Sequence, residues 1–194
     1  MSVFRFPNKN FHLAVLLAVL FIMTVSGCAT SGNVRTSQAF TIAQNQKMVP
    51  ILPFSNTLVP ESFSTEVFND YVDNLNDSRD KTGFSLFAII KDDLKSTEQI
   101  LSPVHIYVSG EIWSYIEDAG CCSTALRVKS RLRIYRVNSR ELLWEAEIPM
   151  ESFFEHDSST LAVERVKLGK RLSSEMSRMT IKALHGAKRI RIEE

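Results

Sequence analysis

The chain reads as an α+β two-layer sandwich, a mixed sheet with an antiparallel three-stranded meander and helices packed on one face. Three observations predict it. From Val104 to Ile148 apolar residues recur at every second position in three successive segments, the period of strands with one buried face. On both sides of that region apolar residues recur every three to four positions, the period of an amphipathic helix. Between the first helical stretch and the meander lies a short apolar run bounded by turn residues, which suits a strand. Helices outside such a sheet cover one of its faces.

The elements follow in order. Met48-Val49-Pro50-Ile51-Leu52-Pro53-Phe54 is a short first strand, which its two prolines assign to an edge or an irregular strand. After Pro60, residues Phe63, Val67, Tyr71 and Leu75, with Phe68 and Val72 beside them, make one helix face. Residues 77–83 break that helix, and Phe84 to Ile90 form a short strand of the buried type. Residues 91–101 suit a short surface helix.

The meander comes next. Val104, Ile106, Val108 and Ile112 alternate with His105, Tyr107, Ser109, Glu111 and Trp113. A loop through residues 118–122 leads to a strand with Leu126, Val128, Leu132 and Ile134 on one face and Arg127, Lys129, Arg131 and Arg133 on the other. Asn138-Ser139-Arg140 is a turn. Leu142, Trp144, Ala146 and Ile148 are the inward set of the third strand, ending near Pro149. Setting Ile134 opposite Trp144 puts Arg133 beside Glu145 and Arg131 beside Glu147. Leu161, Leu168, Leu172, Met176, Met179 and Ala183 mark a long second helix, with Asp157 or Ser158 as its cap and Gly186 at its end. The charged tail 187–194 is solvated or one more short edge strand.

Upstream of all this, residues 1–10 carry Arg5 and Lys9, and Leu13 to Met23 are apolar without interruption. A basic stretch before a short apolar core reads as an export signal, and this run falls short of the ~20 residues a membrane-spanning helix needs. Val25-Ser26-Gly27-Cys28 follows, and here the sequence resembles the lipobox of bacterial lipoproteins. That resemblance implies cleavage before Cys28, a diacylglyceryl group on its sulfur and a fatty acid such as palmitate on the new amino group. An ordinary signal cut after Gly27 is the alternative. Each buried methylene contributes about 0.8 kcal/mol, so two or three acyl chains hold a protein where one would not. The expected organisation is 1–27 signal peptide, 28–46 lipidated flexible tether and 47–194 a single domain. Ala29 and Thr30 stand where related lipoproteins carry an inner-membrane retention Asp, so the resemblance implies a periplasm-facing outer-membrane anchor.

Of the 194 residues, 44% are hydrophobic and 23% charged, a globular composition. Residues 1–27 hold two basic residues and no acid, leaving 21 basic and 22 acidic residues in the remainder. That neutrality argues against nucleic acid as a partner.

Three segments carry a further resemblance. Val49-Pro50-Ile51-Leu52-Pro53-Phe54-Ser55-Asn56 is similar to a "v-x-x-F-x-N" opening strand, and Val108-Ser109-Gly110-Glu111-Ile112 to a "v-x-G-x-i" strand. Residues 135–144, Tyr-Arg-Val-Asn-Ser-Arg-Glu-Leu-Leu-Trp, are similar to "v-d-x-x-t-G-e-v-l-W", with Arg140 where a Gly is usual. Behind a lipobox, in this order, they resemble the envelope lipoproteins built on the TolB N-terminal-domain fold. That group includes the curli-secretion, Pel-polysaccharide export and penicillin-binding-protein-activator lipoproteins. The resemblance implies an accessory or scaffold in an envelope assembly, with an envelope protein as partner, and it allows a homo-oligomer. The chain lacks the length for the hairpins by which the curli channel crosses a membrane. An auxiliary lipid-binding lipoprotein of an envelope lipid transporter is the competing reading.

No catalytic motif is evident, no His stands at zinc-ligand spacing with Cys, Asp or Glu, and no phosphate loop is present. We therefore expect no enzyme activity, no catalytic residue, no metal and no cofactor. Cys121 and Cys122 form a strained vicinal disulfide, an intersubunit bridge or a pair of free loop thiols. The row of Arg127, Lys129, Arg131 and Arg133 grips an acidic polymer or lipid head groups, or it is a sheet face neutralised by Glu111, Glu145 and Glu147. Tyr107 and Trp113 share a strand face and anchor a partner, or a helix covers them. For Cys28 the expected outcome is simple: Cys28→Ala abolishes labelling by a radioactive fatty acid and leaves uncleaved precursor, both read on one gel.

Overall fold

The computed structural model describes residues 32–56, 58–91 and 104–190. Its frame is a meander of three strands of 14 residues each, β6 (Ile106–Ala119), β7 (Ser123–Arg136) and β8 (Leu142–Glu155). Along β7 the inward residues Leu126, Val128, Leu132 and Ile134 are buried while Arg127 and Lys129 are exposed, so the sequence alternation is the alternation of the pleat. Arg131 lies opposite Glu147, Arg133 opposite Glu145 and Ile134 opposite Trp144, the expected register.

Seven described strands join in one open mixed sheet. The short strands β1 (Val34–Thr36), β3 (Met48–Ile51), β4 (Ser55–Asn56) and β5 (Leu86–Ile89) extend the meander in the order β1-β8-β7-β6-β3-β5, with β4 also on β6. β1 is antiparallel to β8; β3 is parallel to β5 and β6. Helices α1 (Glu61–Asp77) and α2 (Leu161–Gly186) pack on each other and on the apolar face of the sheet. Strands β2 (Thr41–Ala43) and β9 (Lys188–Ile190) form a separate parallel pair. The fold is the α+β sandwich the periodicities predict. One core runs from Phe40 to Leu184, so residues 32–190 contain the apolar contacts needed to fold alone.

The helices bury the residues their spacing selected. Phe63, Val67, Tyr71, Val72 and Leu75 of α1 face Leu168, Leu172 and Met176 of α2 within that core. Fully burying each such side chain stabilises by about 1.5–3 kcal/mol. Gly169 lies at this interface, where a Cβ would meet Phe63 and Val67 at 3.5 Å, an ordinary packing distance. Across the interface the Tyr71 hydroxyl donates to Thr180 Oγ1 at 2.9 Å, and Thr180 donates to the Met176 carbonyl. Burial raises the Tyr71 phenol well above its ordinary pKa, so it stays a donor. At the start of α2, Glu164 accepts from Lys167, Ser159 and Ser152, which ties the helix to β8 and holds its carboxyl down at about 2.

Several boundaries differ from the sequence reading, each for a local reason. The tether does not extend to Gln46. Residues 34–36 pair with β8 and 41–43 with β9, and Gln46 is buried. Polar composition concealed those strands because they are three residues long. β3 is no edge strand, for it lies between β5 and β6; its ladder to β6 closes only at Ile51. Beyond Pro50 the Gln46 amide replaces the missing main chain, accepting from the His105 and Ile106 amides at 3.1 and 3.2 Å and donating to the Ile106 carbonyl at 3.1 Å.

β5, expected to be buried, is the edge, with Leu86 46% and Ile89 38% exposed; Phe84 and Phe87 supply its buried contacts. β8 continues past Pro149. The Glu147 amide turns toward the β1 side and donates to Asn33, so Pro149 presents its missing donor to that same side beyond β1. A register shift at Leu143 turns Leu142 outward. The cap of α2 is Thr160, which accepts from the Val163 amide, because residues 155–158 are used in the turn that follows β8. The expected helix over 91–101 lies almost wholly outside the described residues.

Two motif residues meet in the sheet. Phe54 packs its ring over Gly110, against Phe68 and Tyr71 at centroid distances of 5.0 and 5.3 Å. A Cβ on Gly110 would stand 2.5 Å from Phe54 Cε1. Arg140 adopts φ 54°, the left-handed conformation that explains why a glycine is usual there. Gly110→Ala is expected to lower stability by about 1–3 kcal/mol in urea unfolding. Combined with Phe54→Ala it should cost less than the sum of the two, because the collision is then removed.

Candidate functional site: a charged sheet face and an apolar groove

The outer face of the meander gathers most of the residues singled out above. β7 places Arg131 and Arg133 between glutamates on both neighbours. Arg133 Nε lies 2.8 Å from Glu145 Oε2 and its Nη2 3.0 Å from Glu111 Oε1; Arg131 Nη1 lies 3.1 Å from the same Glu111 oxygen, and Arg131 also holds Glu147. The Arg131 hydrogen bond keeps the Glu147 carboxyl below the usual carboxylate range. Two guanidinium groups are thus paired with three carboxylates, so every positive charge of the cluster is answered and one negative charge is in excess.

The rest of the row is looser. Arg127 stands 3.8 Å from Asp118 and 3.6 Å from Glu151, both well exposed. Lys129 Nζ sits 5.2 Å from the centroid of Trp113, and Arg131 stacks on the same ring at 5.7 Å. The structure therefore realises the neutralised-face alternative for Arg131 and Arg133, and Lys129 is held by an aromatic ring instead of an acid.

Tyr107 and Trp113 share this face but differ in accessibility. Tyr107 is buried, stacked on Tyr135 at 5.3 Å, so it presents no anchor. Trp113 is 41% exposed. A bulge at Trp113 shifts the register between Ile112 and Ser114. After it Tyr115 points inward against Phe63, and Glu117 meets Arg165 of α2. At the far end of the meander Ile116 and Phe153 are exposed, and Cys121 and Cys122 occupy the β6–β7 turn as exposed free thiols with Sγ atoms 3.2 Å apart. Cys28 lies outside the described residues. No group of His, Cys, Asp or Glu suited to a metal occurs among the described residues. His105 bonds Arg136 and His156 bonds Thr124.

A second feature escaped the sequence reading. Between β1 and the C-terminal half of α2 lies a groove of 580 Å³. Phe40 and Trp144 form its floor, Met179 and Ala183 one wall, and Arg178, Lys182 and Lys188 its rim. These residues come from four separate elements and loops, so no local pattern announces them.

No protein-family model and no curated protein matches the chain. Solved structures do. A point variant of the PelC dodecamer from Paraburkholderia phytofirmans aligns at TM-score 0.52 and 14% identity over 76% of this chain and 99% of that one. A second crystal form of the PelC dodecamer gives 0.49 and 17% over 74% and 96%. The hypothetical protein CT253 from Chlamydia trachomatis gives 0.49 and 15% over 72% and 98%. The fold is that of PelC. At such identities the likeness is one of architecture, reached by a different set of side chains.

For the charged face, Arg131→Ala should leave Glu147 without its partner and Arg133 alone to answer Glu111 and Glu145, and lower stability by about 2 kcal/mol. Thermal melts at low and high salt check this: the deficit should shrink as salt screens the carboxylates. Lys129→Ala should stay within about 0.5 kcal/mol.

Proposed function

We propose that the protein is a non-enzymatic, lipid-anchored envelope protein, an accessory or scaffold that works by binding close to a membrane surface. The observation that carries this is where the folded body begins. Gly32 lies directly against the Glu147 carbonyl, closer than any side chain would allow, and Asn33 accepts from the Glu147 amide at 2.8 Å. Gly32 lies four positions after Cys28, a span of four peptide steps. Even fully extended they reach about 14 Å. A lipid on Cys28 therefore holds the sheet within about 14 Å of the bilayer instead of releasing it on a long flexible leader.

The architecture supports the reading. PelC, whose fold the chain shares, is a dodecamer, which favours a role as one subunit of a larger envelope assembly. Ala29 and Thr30 after the lipobox favour placement on the outer membrane facing the periplasm. Exposed Ile116, Phe153 and Trp113 offer apolar contacts for a partner. A second reading, an auxiliary lipid-binding lipoprotein of an envelope lipid transporter, is favoured by the groove at β1.

Envelope fractionation tests the proposal. Wild-type protein should sediment with outer-membrane vesicles, and a form exported through a conventional signal, with Cys28→Ser, should appear in the soluble periplasmic fraction. A photo-crosslinker at Phe153 or Ile116 in intact cells should give a discrete protein adduct. Wild-type protein released by osmotic shock would defeat the anchor, and silence at both crosslinking positions the docking role.

A further inference from the structure

We infer that the groove between β1 and α2 binds a single-chain anionic amphiphile, an alkyl chain ending in a carboxylate. The groove's floor is the top of the core. Phe40 and Trp144 are 6% and 4% exposed, and Met179 and Ala183 continue the apolar surface along α2. Its volume of 580 Å³ lies in the range of small-molecule sites, about 300–1,000 Å³. Val34, 51% exposed on β1, forms the opposite lip, so an alkyl chain laid between the lips covers apolar surface on both sides.

The rim supplies the head-group chemistry. Arg178, Lys182 and Lys188 line the groove and, among the described residues, no carboxylate does. Arg178 is matched by Glu175 on its own helix, whereas Lys182 and Lys188 form no ion pair among the described residues. Two unanswered ammonium groups beside an apolar trough complement a molecule with a greasy body and a negative end.

Other occupants fit less well. The start of the described chain lies away from the groove. β1 runs antiparallel to β8 with Thr36 opposite Trp144, so Gly32 already sits at Glu147 and Ile148, away from the groove floor. A partner strand added to β1 would find an edge of three residues, a short ladder to bind by. The site does not depend on a lipid at Cys28, and the unlipidated domain from Ala29 onward tests it, so the two readings fail separately.

The chain has two tryptophans, and Trp113→Phe on the exposed face leaves Trp144 on the groove floor as the sole reporter. Titration with 9,10-dibromostearate below its micelle concentration should quench Trp144 saturably. Lys182→Glu with Lys188→Glu, both at exposed positions, should weaken binding about tenfold with an unchanged circular-dichroism spectrum, and the matching dibrominated alcohol should bind wild type about tenfold more weakly. Overturning results are absence of saturable quenching, equal binding of acid and alcohol, indifference to the double charge reversal, or a concentration-dependent dimer that shields Trp144 and excludes the probe.

Discussion

The alternation along β7 is the constraint from which the rest of the structure follows. Its apolar face must leave water, which requires a helical layer, and its basic face must stay solvated or be neutralised. Slipping the pairing by one residue would bury Arg131 and Arg133 beneath α2 and expose Leu132 and Ile134. The glutamates of β6 and β8 stand on the solvent face in the one register that satisfies both demands, so burial and charge pairing select the same alignment.

From that sheet the positions of the other elements are set by contacts of particular side chains. Phe54 on Gly110 fixes where the chain after β3 crosses β6, and the same ring is gripped by Phe68 and Tyr71 of α1. Gln46 supplies from its side chain the hydrogen bonds that β3 cannot give around Pro50. These contacts account for a motif whose residues lie 56 positions apart in the chain: the aromatic residue needs a glycine beneath it, and each makes the other indispensable.

The two surfaces of the domain have different chemistry. On the outer sheet face Arg131 and Arg133 are spent within the molecule, while apolar Trp113, Ile116 and Phe153 stand exposed beside the loosely held Arg127 and Lys129. On the opposite layer, at the far end of α2, basic side chains ring an apolar trough with no acid among the described residues to answer Lys182 and Lys188. Recognition of a hydrophobic partner on one side and of an amphiphile on the other are compatible roles for one small body.

Periodicity by itself determined the two helices, the three long strands, their inward residues and the pairing of Arg131 with Glu147 and Arg133 with Glu145, because burial of one face repeats at 3.6 or 2.0 residues and leaves a trace in order. Elements too short to show a period left little trace: β1 and β2 were legible only as polar sequence and β9 as one of two alternatives for the charged tail, and they exist because β8 and each other offer partners. Proline suggested an edge for β3 and an end for β8, yet both prolines sit in strands whose missing bonds are met by Gln46 or turned to an open side. The bulge at Trp113, the burial of Tyr107 and the groove of Phe40, Trp144 and Met179 were decided by tertiary structure alone, because each joins residues whose proximity is created only when the sheet and α2 have packed.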